Sequence, residues 1–181
     1  MLRMTWVHVD LAHVLEHAGT DEPSGTWTGL ACRDHELALG GDVDIQMLRR
    51  LAADGKIADL VWEAPEELVA DHGQAFLDGM QAYQAGDSES AEQHWQAFRA
   101  IWSRAWTANC TALELLQNAG ITTFSPVKPQ RWVIASFEHH CGPHGLPRPH
   151  VHNIVITRLT MGSAVAPFDE LAVEEGGTVS I

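Results

Sequence analysis

The stretch FEHHCGPHGLPRPHVHNIVI, residues 137–156, sets five histidines, three prolines and two glycines ahead of an apolar run. Neutral imidazoles are common ligands of transition metals, so the first question is whether these can share an ion. His150 and His152 are two apart in HVHNIVITRL (150–159), a β-rich segment. Side chains alternate along a strand, so both rings point to one face. A third ligand must then come from a neighbouring strand. The candidates are Glu138, His139 and His140, at the end of the β-rich RWVIASF (131–137). His139 shares parity with Val133, Ala135 and Phe137, and antiparallel pairing across a loop of about ten residues brings it beside His150. Three such imidazoles suit a divalent ion such as Zn, Mn, Mg or Ni, and an open fourth position marks a catalytic rather than a structural site. The competing reading is eleven scattered histidines with no shared role.

Several elements must position these rings. Two β-rich segments joined by a Gly/Pro loop predict an antiparallel pair. ADLVWEAPEEL (58–68) reads as a short strand running into a proline turn. DLAHVLEHA (10–18) and DIQMLRRLAA (44–53) read as short helices, the second stopped at Asp54-Gly55. The longest helix is expected over 88–118, with a capping box at Ser90–Gln93 and Gly120 beyond its end. Its stripe of Trp95, Phe98, Trp102, Trp106, Leu113 and Leu116 reads first as core, because amphipathic spacing is a burial signal. The fold class expected is therefore α+β: an antiparallel sheet carrying His139, His150 and His152, packed against helices. One domain is expected over residues 1–160, followed by an acidic, flexible tail over 161–181.

Composition narrows the function classes. The chain has 181 residues, 45 % of them hydrophobic, which is enough for a real core. Its net charge is −13, and only two residues are lysine, Lys56 and Lys128. Such a chain should be repelled by bulk nucleic acid, because phosphate contacts need Lys and Arg. The charge is uneven, however. Residues 121–160 hold Lys128, Arg131, Arg148 and Arg158 against Glu138 alone, which makes that segment +3 and the remainder −16. The histidine-rich stretch lies inside this basic island. Cys32, Cys110 and Cys141 are odd in number and lack CxxC spacing, as expected of a chain in a reducing cytoplasm. No apolar run reaches the length of a membrane span, and no signal peptide is expected at MLRMTWVHVDLAH.

The histidine pattern resembles a known family. A His-hydrophobic-His pair on a strand marks HUH nucleases. Phe137, His139, then ten residues to Pro149-His150-Val151-His152 resembles the metal motif of TrwC-type conjugative relaxases. Two further stretches resemble that family in the same order. GTWTGLACRDHELALGGDVDIQMLRRLAADGK (25–56) is similar to its segment of G-x-W-x-G, a Leu-Gly turn and a short helix. DLVWEAPEELVA (59–70) is similar to its strand-turn, and Asp59 matches the carboxylate proposed to orient or deprotonate the nucleophile. The resemblance implies a relaxase-like fold with a metal held by His139, His150 and His152. It also implies nicking of single-stranded DNA by a tyrosine that attacks the scissile phosphate, with Arg131, Arg148 and Arg158 as DNA contacts.

The chain departs from that pattern in three ways. The family's nucleophilic tyrosines precede the G-x-W-x-G segment, and residues 1–24 contain none. Tyr83 is the only tyrosine in the sequence. It falls in a loop-like stretch, QAYQAGDSES, and is the sole phenol left as a catalytic candidate. Glu66, beside Glu67, replaces the family's basic turn residue. Finally, the chain is read as a shortened member. A metal site kept without its nucleophile implies a degenerate nicking domain. It equally fits a metal-activated hydrolase with Asp59 as base, or an inactive scaffold whose acidic surface meets a protein partner.

Two rivals come from other motifs. His13-Val14-Leu15-Glu16-His17 has the H-x-x-E-H form of inverzincin metallopeptidases, with Glu89 or Glu92 as the distant zinc ligand. A histidine-triad nucleotide hydrolase would need a third histidine at position 154, which is Ile154.

Overall fold

The protein is described from a computed structural model. The description covers residues 3–9, 12, 24–54, 57–119, 121–122, 125–126, 131–141, 147–156 and 178–180. Six strands form one sheet: β1 (Arg3–His8), β2 (Thr26–Trp27), β3 (Ile57–Glu63), β6 (Val133–Cys141), β7 (Pro147–Ile156) and β8 (Thr178–Ser180). Their spatial order is β2-β6-β7-β3-β1-β8, and every neighbouring pair is antiparallel. A separate two-stranded pair joins β4 (Ile121–Thr122) to β5 (Ser125–Pro126). Among the described residues the long helices are α1 (Ile45–Asp54), α2 (Glu66–Gln84) and α3 (Ser88–Ala119). The fold is α+β, an antiparallel sheet packed against helices.

Register fixes which residues share a face. In β6 and β7, Val133 pairs with Ile156, Ala135 with Ile154, Phe137 with His152 and His139 with His150. On the other side of β7, β3 pairs Ile57, Asp59, Val61 and Glu63 with Ile156, Ile154, His152 and His150. Residues opposite each other in a ladder point the same way. One face of the sheet therefore carries Val133, Ala135 and Phe137 beside Ile154 and Ile156, ending in a row of Glu63, His150 and His139. The apolar part of this face is buried under Trp27, Cys32, Leu37, Val43, Leu48 and Leu51, contributed by β2, the turn after it and α1. The opposite face presents Leu60, Trp62, Trp132, Ile134, Val151 and Val155 to α3, which answers with Ala105, Ala112, Leu113 and Leu116.

Local sequence explains the helix starts. Asp44 Oδ1 accepts the backbone N–H groups of Gln46 and Met47, which caps α1. Asp87 Oδ1 accepts the N–H of Ser90, so α3 is capped by Asp87 and not by the expected Ser90–Gln93 box. Pro65 precedes α2, where its missing N–H costs nothing, and Glu66 and Glu67 place negative charge in the first turn. Under α3, Asn109 and Asn153 exchange two amide hydrogen bonds of 3.1 and 2.9 Å, and Ser136 Oγ lies 2.7 Å from Asn153 Oδ1. This buried polar chain is paired throughout, as a dry interior requires.

The G-x-W-x-G segment has a steric reason. A Cβ at Gly29 would lie 2.2 Å from the Trp132 carbonyl oxygen, and one at Gly25 would lie 2.4 Å from the Phe137 ring. Only glycine lets this segment lie so close to β6. Trp27, between them, is 3 % exposed and packs in the core.

Three expectations need separate statement. Of the helix expected at 10–18 only residue 12 is described, and it is helical; His13, Glu16 and His17 of the peptidase motif lie outside the described residues, as does Arg158. The stretch holding Tyr83 is helical rather than loop-like, being the last turn of α2. At the far end of the expected flexible tail, residues 178–180 form strand β8 against β1.

Candidate metal centre

Three imidazoles stand together at the end of the sheet face. The ring centres of His139 and His150 are 5.1 Å apart, those of His139 and His152 are 5.0 Å apart, and those of His150 and His152 are 5.1 Å apart. This near-equilateral triangle follows from the register. His139 and His150 are direct cross-strand neighbours, and His152 is one pleat further along β7. All three rings are partly buried, at the boundary between the apolar core and the outside.

Backbone and side-chain partners set two of the tautomers. His150 Nδ1 lies 2.7 Å from the carbonyl oxygen of Arg148. A carbonyl only accepts, so Nδ1 carries the proton and Nε2 the lone pair. His152 Nδ1 lies 2.6 Å from Asp59 Oδ2, which fixes the same tautomer through a carboxylate. Asp59 is 1 % exposed and reaches His152 diagonally from β3, since its direct partner on β7 is Ile154. A buried carboxylate behind a histidine holds the ring's tautomer and orientation. Burial pushes the His150 pKa down, which keeps its imidazole neutral as ligation demands.

The donor set fits a divalent ion. An ion bonded to three imidazole nitrogens at about 2.0–2.1 Å with tetrahedral angles holds their ring centres about 5 Å apart. The observed separations of 5.0 to 5.1 Å match. Among the described residues, however, no three His, Cys, Asp or Glu side chains stand with their ligand atoms already converged on a point. The ring planes of His139 and His150 are only 22° apart, a stacked pose.

The other candidates fall elsewhere. Glu138 and His140, one residue either side of His139, point to the opposite face by strand alternation. Glu138 Oε2 accepts the Trp102 indole N–H at 2.5 Å, and His140 packs 4.3 Å from the Trp102 ring. His140 also faces His72 of α2, at 6.0 Å between ring centres. Both His72 ring nitrogens are buried without a hydrogen-bond partner, and desolvation, reinforced by His140, lowers its pKa to about 4. Tyr83 is 71 % exposed on α2, a helix packed with α3 on this second face, so the structure does not bring its phenol to the three rings. Arg131 binds Asp34 at 3.2 Å and the Leu30 carbonyl at 3.0 Å, beside a cavity of about 610 Å³ lined by Thr28, Trp106, Gln117 and Asn118. Arg148 lies two residues before His150, on the cluster's own face, and bonds Glu63.

Sequence spacing pointed to the three histidines and the family resemblance to Asp59, but neither gave the bond between Asp59 and His152. That contact joins residues 93 positions apart and depends on the β3–β7 register. The one available signal was a lone carboxylate inside the apolar strand IADLVWE.

No family model matches the chain, and no curated protein matches it. Solved structures do. The chain is similar to the conjugative relaxase TrwC in its metal-bound complex with oriT DNA, at 18 % identity and a TM-score of 0.56, covering 90 % of this chain and 59 % of that one. It is similar to TrwC complexed with a 27-mer DNA comprising the recognition hairpin and the cleavage site, at 19 % identity and a TM-score of 0.53, over 90 % and 58 % of the two chains. The metal-free TrwC complex with oriT DNA gives 19 % identity and 0.53, over 85 % and 56 %. The chain thus spans less than two thirds of the chains it matches. At this identity the likeness is one of fold, and the fold is relaxase-like.

Proposed function

We propose that this chain is a relaxase-like domain that holds one divalent cation between His139, His150 and His152 and acts there on a phosphodiester of single-stranded DNA. The observation that carries the reading is the triangle of imidazoles with 5.0–5.1 Å sides, set on the adjacent strands β6 and β7 of a relaxase-like sheet. A bound divalent ion would polarise the phosphate and offset the charge that develops on it. The chain's own residues do the rest. Asp59 keeps the His152 ring in one tautomer, and the Arg148 carbonyl does the same for His150. The Arg148 guanidinium, paired with Glu63 at the rim of the same face, would hold a phosphate oxygen.

The attacking group on this reading is water. Tyr83 is remote from the cluster, and Asp59 is committed to His152. Water adds to phosphorus, the bond to the leaving sugar oxygen breaks, and the proton that water loses ends, by way of solvent, on that sugar oxygen, so the strand ends free rather than joined to protein. A second reading is favoured by the net charge of −13, which opposes DNA association outside the basic island. On that reading the site is a metal-binding scaffold for a protein partner, and no strand is cut.

One experiment separates these. The protein is incubated with Mn²⁺ and a 5′-labelled single-stranded oligonucleotide, then run on denaturing gels with and without protease. Free cut strands that vanish in His150→Ala and His152→Ala support hydrolysis. A protease-sensitive covalent adduct overturns the water-based account. An intact strand under all metals tested favours the scaffold.

A further inference from the structure

The arginine beside the cluster is not presented bare. Arg148 Nη2 lies 2.5 Å from Glu63 Oε1, with 54 % of the arginine side chain and 32 % of the glutamate side chain exposed. Register explains the meeting. Glu63 ends β3 directly opposite His150, and Arg148 lies two residues before His150 on the same face. Both charges therefore sit at the rim of the three-ring row, where a strand of DNA would enter. Of the other arginines in the basic island, Arg131 is described, and it is bound to Asp34 on the far side of β6.

We propose that Glu63 is an electrostatic latch: its carboxylate occupies the Arg148 guanidinium in the free protein, and a nucleic-acid phosphate must displace it to reach the metal centre. This rests on the DNA reading above and adds a specificity device to it. The physics favours exchange. A half-exposed ion pair contributes little net free energy, because both partners remain solvated and two long side chains are ordered. A phosphate offers the same guanidinium a bidentate, charge-assisted partner and releases counterions as it binds. A strand making few other contacts loses the competition with Glu63, whereas one with several phosphates in register wins it. An acidic latch thereby raises the threshold for non-specific single strands without abolishing binding.

The test is a double-mutant cycle read by fluorescence anisotropy. The affinity of a labelled single-stranded oligonucleotide is measured across a salt series for the wild type, Glu63→Gln, Arg148→Gln and the double variant. Glu63→Gln is expected to tighten binding about three- to fivefold, the equivalent of a surface ion pair. Its salt dependence should steepen by about 0.7 in the logarithmic slope, one more phosphate neutralised on a single strand. In the Arg148→Gln background the same substitution should change little. An unchanged affinity in Glu63→Gln, or an equal gain with and without Arg148, overturns the latch while leaving DNA binding intact. Absence of binding by all four proteins at low salt overturns the DNA reading and the latch with it.

Discussion

Replacing Asp59 by Asn probes the metal centre through a residue that would not touch the ion. Asp59 Oδ2 accepts the Nδ1–H of His152 at 2.6 Å from a site only 1 % exposed. Asn is nearly the same size, so the packing of β3 against β7 is kept. The charge is lost, and with it the hydrogen bond that holds the proton on Nδ1 and leaves the Nε2 lone pair of His152 available. If the amide presents its NH₂, the imidazole flips tautomer and its Nε2 becomes a donor, unable to ligate. Loss of such a supporting partner costs about 10- to 100-fold in metal affinity, or about 1.4–2.8 kcal/mol. Isothermal titration with Zn²⁺ and Mn²⁺ at neutral pH measures it. In a His152→Ala background the same change should cost almost nothing, because Asp59 acts through that ring. An affinity for Asp59→Asn within twofold of the wild type, or an equal loss with and without His152, would refute the reasoning.

Two further outcomes are expected. His72 folds neutral with a pKa near 4, against an ordinary value of 6.5. The unfolded chain therefore binds the extra proton first, and stability that is full above about pH 6.5 is lost as pH falls toward 4, to a limit of about 3 kcal/mol. His72→Phe, which keeps a ring 4.0 Å from Phe98, should flatten this acid limb in thermal melts between pH 4 and 7; an unaltered limb would show the protons are taken up elsewhere. Gly29→Ala would drive a Cβ to within 2.2 Å of the Trp132 carbonyl oxygen and should lower stability by about 2–3 kcal/mol in urea melts, whereas a loss under 0.5 kcal/mol would mean β2 can lift off β6.

The sequence made some parts of this protein legible and hid others for physical reasons. Strand alternation alone puts His150 and His152 on one face, and parity picks His139 over its two neighbours; the register then pairs His139 with His150. The helices at 44–53 and 88–118 correspond to α1 and α3; the α1 stripe and the C-terminal half of the α3 stripe face the sheet, whereas Trp95 and Phe98, expected as core, pack against Phe76 and His72 of α2. Helix α2 was hidden because its buried positions are His72, Ala75 and Gly79. These suit a close approach to α3, where a Cβ on Gly79 would meet the Trp95 ring at 3.1 Å. No hydrophobic stripe advertises such packing, and glycines within a segment read as breaks. The loop-like reading of Tyr83 came from the same blind spot. Asp87 outcompeted Ser90 as the cap of α3 because its side chain reaches the third N–H of the helix, a preference that depends on where the helix begins.

The account stands on one cation shared by His139, His150 and His152. X-ray absorption at the zinc edge, on protein loaded to one equivalent, tests this directly. It should show three imidazole nitrogens at about 2.0–2.1 Å, with that signature lost when any one of the three is replaced by alanine. An unchanged spectrum in the triple variant, or a shell without three imidazoles, would contradict it.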